Sequence, residues 1–136
     1  MADQKVEQKA GAKKAKKKDI KITTGVLHVR ATSNNTLITL TDEQGNKVAG
    51  GWTGLIWYKG SKKSTPYAAE VLTKKIIKEG QGYGLKEIGI IFAGVGMSRD
   101  GIFKAINEIG IVDVLYIKED TAIQFGWVKG TRPKRN

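Results

Sequence analysis

Ile88-Gly89-Ile90-Ile91-Phe92-Ala93-Gly94-Val95-Gly96-Met97-Ser98-Arg99 is the stretch that decides how this chain folds. Ile88 to Phe92 is a continuous apolar run of strand length, which suits a strand buried on both faces. The glycines at 94 and 96 break it, and Ser98 is a good N-cap for a helix that places Ile102, Ala105, Ile106 and Ile109 on one face and stops at Gly110. Val112 to Ile117 then reads as a second strand. Upstream, Thr65 and Pro66 suit the cap and first position of another helix, with Ala68, Val71, Leu72 and Ile76 as its apolar stripe, Lys74, Lys75 and Lys78 outside it and Gly80 as its stop. Further back the period changes to two, through Ile20 and Ile22, Val26 to Val29 and Leu37 to Leu40. Ser33-Asn34-Asn35 turns a hairpin over residues 25–41, Asp42 to Asn46 makes a second turn, and Lys47 to Trp52 is a short third strand. A meander followed by strand, helix and strand predicts an α/β fold: a mixed central sheet of about five strands with helices packed on it.

The 136 residues carry 24 Lys and Arg against 13 Asp and Glu, a net charge of +11, and the pI is near 9.9. The excess lies at the ends. Residues 1–18 hold net +5 and residues 129–136 net +4, leaving +2 between them. The expected organisation is a disordered lysine-rich arm over 1–18, a single α/β domain over 19–128 and a basic tail over 129–136. Basic arms on a near-neutral body point to a polyanion laid along them. No cysteine is present, which excludes disulfides and thiolate metal sites, and a single His makes zinc a poor fit. With no apolar run of spanning length, the reading is a soluble cytoplasmic protein without a membrane partner.

Two stretches carry chemistry. Lys59 to Tyr67 joins a basic loop, with Ser61, Lys62, Lys63 and Ser64, to the helix capped by Thr65. Dipole and lysines together suit a phosphate, although the same loop reads equally well as a solvated surface. Trp52, Trp57 and Tyr58 lie just before it and either stack on bases or cover the sheet. The second stretch, Gly94 to Arg99, resembles a dinucleotide fingerprint followed by Glu119, but Arg99 stands where the third glycine belongs. A small nucleotide-binding enzyme using this turn is the alternative reading. As an anion site, Gly94 and Gly96 admit close backbone approach, Ser98 caps the helix and Arg99 offers a fork for phosphate or a base edge. The P-loop match fails at Leu55. Asp42, Glu87 and Asp113 sit at strand ends as turn formers and surface charges, and His28 has no catalytic companion, so no enzyme, metal, cofactor or small-molecule substrate is expected.

These residues resemble the S-eleven family of small-subunit ribosomal proteins, of bacterial type. The resemblance runs from about Gly25 to Arg135. It rests on Gly25-Val26-Leu27-His28-Val29, on Asn34-Asn35-Thr36, on Gly60-Ser61-Lys62-Lys63-Ser64-Thr65-Pro66-Tyr67-Ala68-Ala69, on the glycine turn into Arg99 and on Arg132-Pro133-Lys134-Arg135. The resemblance implies an RNase-H-like three-layer motif without nuclease activity, in a structural constituent of the small subunit that supports translation. It implies contact with small-subunit rRNA on the platform, beside the S-seven and S-eighteen families and near messenger RNA. Asn34, Asn35, Lys59 to Thr65, Gly94 to Arg99, Lys129, Arg132, Lys134 and Arg135 are the expected rRNA-binding residues. The chain departs from the family at Gly94-Val95-Gly96-Met97, which lacks the family's prolines, and at Phe125 to Thr131.

Overall fold

The computed structural model describes residues 21–123, 126–127 and 129–135. The expected 1–18 arm, the Ile20 position and Phe125 lie outside them. Five strands form one sheet: β1 Thr24–Ala31, β2 Thr36–Thr41, β3 Lys47–Trp52, β4 Glu87–Ala93 and β5 Asp113–Glu119, in the order β3-β2-β1-β4-β5. β2 runs antiparallel to β1 and β3, while β4 pairs parallel with both β1 and β5. Two helices, α1 Pro66–Gly82 and α2 Ser98–Ile109, connect β3 to β4 and β4 to β5. The mixed five-stranded α/β sheet is therefore as the pattern predicts.

Both crossovers move along the sheet in the same direction, and right-handed connections then place both helices on the same face. Alternation in the strands agrees. Leu27, Val29, Ile38, Leu40, Ile88, Ile90 and Phe92 point into one core with Leu72, Ile76, Ile102 and Ile106. Their neighbours His28, Arg30 and Leu37 are exposed on the opposite face. Among the described residues there are thus two layers, where the resemblance implies three, because nothing helical follows β5.

The helices touch closely. A Cβ on Gly101 would overlap the Pro66 carbonyl oxygen, so only glycine lets the start of α2 reach the start of α1. Farther along, Lys74 of α1 bonds Glu70 at 2.7 Å and also Glu108 of α2, while Lys104 of α2 lies 3.7 Å from Glu70. The Lys74 hydrogen bond holds the Glu70 carboxyl below its ordinary value, and the two carboxylates push the Lys74 ammonium up to about 12.

Three expected details differ. Gly80 does not end α1; it sits inside the helix because a Cβ there would crowd Leu40 and Leu85, and the helix continues to Gly82. Ile22 is buried but not in a strand; its N–H donates to Tyr83 O at 3.0 Å, tying the chain entry to the end of α1. β4 is not fully buried on its second face, where the Tyr116 ring lies over Gly89 but Ile91 and Ala93 are only half-buried. Gly110 closes α2 at φ 59°, as expected.

Candidate nucleic-acid interface

β1, β3, β4 and β5 all run in one direction, so Ala31, Trp52, Ala93 and Glu119 finish at the same end of the sheet. Every expected rRNA-binding stretch leaves from that end: the 32–35 turn, the 53–65 segment, the 94–97 turn and the chain beyond β5. Sequence spacing alone cannot bring them together; strand direction does.

The basic loop is ordered locally. Gly60–Ser64 forms a turn of 3-10 helix, and Thr65 follows in extended conformation as the cap of α1. Thr65 Oγ1 accepts from Ala68 N at 3.4 Å and donates to Lys62 O at 2.7 Å. Pro66 occupies the first position, so α1 satisfies most of its own first-turn donors. Lys59 and Lys62 are exposed and Lys63 is half-buried. Among the described residues none of the three has a carboxylate within ion-pair distance. Ser61 O accepts from Ser64 Oγ at 3.2 Å, which closes the turn. What this loop offers an anion is charge.

The second stretch is arranged differently from the expectation. Arg99 is not a free fork. Its Nη1 donates to Glu119 Oε2 at 2.7 Å, its Nη2 to Glu119 Oε1 and to Gly94 O, both at 2.6 Å, and its guanidinium lies 5.2 Å from the Phe92 ring centre. Hydrogen bonding to Arg99, and then to Thr121, lowers the Glu119 carboxyl, and Glu119 in turn raises Arg99. The acid and the fork of the supposed fingerprint have each other as partners, which removes the ribose contact that the nucleotide-enzyme alternative requires. Gly94, at φ +86°, uses its missing side chain to press on Ala31 O, and Gly96 sits against Ala31 and Thr32; neither glycine is kept clear for a ligand.

Ser98 is also not the cap. It is the first helical residue, buried, with no partner for its Oγ, and Met97 precedes it in a helical conformation without a side-chain cap. The first N–H groups of α2 therefore lack the capping oxygen that α1 has. Asp100, in that first turn, already sets a carboxylate near the dipole.

Asn34 is exposed at the hairpin tip. Asn35 is structural: its Oδ1 accepts from Thr36 N at 2.8 Å and Thr53 Oγ1 at 2.6 Å, and its carbonyl accepts from Thr32 N at 2.9 Å. Its Oδ1 thus pins the hairpin to the start of the aromatic segment. Lys129, Arg132, Lys134 and Arg135 are exposed. Of the aromatics, Tyr58 packs edge-on against Tyr67, with ring centres 6.2 Å apart. Trp52 is half-exposed, and Trp57 stands 86% exposed.

Fold and site together define an α/β protein that gathers exposed cations at one end of its sheet. Among the described residues no group of three or more His, Asp or Glu is placed to hold a metal, and no helix is long and apolar enough to cross a membrane. Residues 25–136 match the family of ribosomal protein S11, and the chain belongs to that family. It is similar to proteins named small ribosomal subunit protein uS11. The one from Nautilia profundicola is 39% identical, over 93% of this chain and 96% of its own length. That of Rickettsia bellii is 40% identical over 90% and 95%, and that of Helicobacter pylori 41% over 89% and 92%.

Proposed function

We propose that this chain is a non-catalytic structural constituent of the small ribosomal subunit, residing with the ribosome in the cytoplasm and binding small-subunit rRNA through the end of the sheet where its strands finish. One observation supports the interface most: among the described residues Lys59, Lys62 and Lys63 have no acidic partner beside the start of α1, at the same end as the uncapped start of α2. Phosphates meet charge at the first and backbone donors at the second. Asn34 and Ser61 extend this surface with neutral donors, Ser64 and Thr65 hold the loop in shape through their bonds to Ser61 O and Lys62 O, and the tail cations Lys129, Arg132, Lys134 and Arg135, together with the 1–18 arm, extend it along the RNA. Family membership, rather than any missing group, carries the non-enzymatic reading.

Within the subunit, the platform, next to the S-seven and S-eighteen families and close to messenger RNA, is the position that the motif resemblance supports. The test is sedimentation of the full chain with small subunits through a high-salt wash. Retention at stoichiometric level is expected; release at the salt that strips loosely bound basic proteins would make it a general nucleic-acid binder instead.

A further inference from the structure

We infer that Trp57 is a stacking platform for one unpaired base of the bound RNA, an inference that rests on the RNA reading above. Its backbone is the first observation. Trp57 has φ +70°, and it is the only non-glycine in the left-handed region among the described residues. There an L-residue's Cβ crowds the following carbonyl, and a bulky ring gains nothing in return unless it packs. This ring does not pack, being 86% exposed. The backbone closes a short turn, with Trp57 N–H donating to Gly54 O at 3.3 Å. Glycine would close that turn without strain, so the fold does not ask for the indole.

Its surroundings are the second observation. Tyr58, the next residue, packs edge-on against Tyr67, while Trp57 stays exposed in the same segment as Lys59, Lys62 and Lys63, none of which has an acidic partner among the described residues. A free aromatic face next to unpaired cations suits a splayed base and its phosphates. An apolar protein partner would have to bury those three charges without compensation. Strain held at an exposed aromatic in a basic loop is thus accounted for by a ligand with a π-face and a negative backbone.

The test compares Trp57→Gly with the parent on a small-subunit rRNA fragment that contains single-stranded loops. Affinity is expected to fall roughly five- to hundredfold, with the salt slope unchanged because no phosphate contact is lost, and the melting temperature should hold or rise as strain is relieved. Trp57→Phe should keep most of the affinity. Unchanged affinity in Trp57→Gly overturns the inference, and so does a loss that tracks a fall in melting temperature. Lys62→Ala with Lys63→Ala serves as the control: if it weakens binding while Trp57→Gly does not, only this inference fails; if neither matters, the RNA reading fails with it. In a Trp52→Phe, Trp127→Phe background, loop RNA should quench the Trp57 fluorescence and a fully paired duplex should not; equal quenching by both contradicts stacking.

Discussion

The two helix starts look alike in sequence and differ in kind. The α1 start has its own cap in Thr65, and among the described residues its lysines have no acidic partner. The α2 start has no cap, and its one strong cation, Arg99, is spent on Glu119 and Gly94 O. One is an electrostatic surface held out to solvent; the other is a joint that locks the ends of β4, α2 and β5 together. Glycine followed by a basic residue at a helix start is therefore ambiguous. What resolves it is whether an acid waits across the fold.

The largest effect is expected where the two helix starts meet. Gly101→Ala puts a methyl into the Pro66 carbonyl, and should cost about 3 kcal/mol or more, read by urea unfolding, because backbone cannot yield as a side chain does. A cost below about 1 kcal/mol would mean that the helices are not pressed together there. The surface responds in the opposite way. Lys62→Ala with Lys63→Ala should leave stability within about 0.5 kcal/mol while flattening the salt dependence of RNA binding by about two in slope. An unchanged slope would take the loop out of the interface.

Thr65→Ala sharpens the contrast at smaller scale. Loss of the cap should cost about 0.5–1 kcal/mol, whereas Ser98→Ala, which removes an unpartnered hydroxyl, should be neutral or stabilising. Equal losses would mean that Ser98 caps after all. The smallest effect is in acid. Arg99 holds the Glu119 carboxyl below the ordinary 4.5, so its contribution is complete above that value and is lost as pH falls through the lower folded value. Parent and Glu119→Gln should therefore differ in melting temperature above pH 4.5 and converge at the acid end. A constant gap would remove the pair from the pH dependence.

Much of this was legible in the chain. Alternation around Val26 to Leu40, the turns at Ser33–Asn35 and Asp42–Asn46, the Thr65-Pro66 start and the Gly110 stop are local physics, decided by backbone sterics and by which side chains reach their own main chain. Asp42 behaves as a turn former should, accepting from Gln44 N at 2.9 Å and Asn46 N at 2.8 Å. The roles of Asn35, Arg99 and Gly94 were not legible, because each depends on a residue far away in sequence: Thr53, Glu119 and Ala31. Trp57 belongs partly with them. Its exposure and its left-handed backbone have no signature in composition or spacing, although an aromatic cluster before a basic loop marked the segment.

By itself, then, the sequence determined the elements, their order, the charge and the family, since short-range preferences and motif residues act within a few positions of each other. Only the tertiary structure decided which end of the sheet gathers the basic segments, which face stays bare, and which of the two helix starts keeps its cations free. Those outcomes depend on strand direction, crossover handedness and contacts across the fold, and no local stretch encodes them.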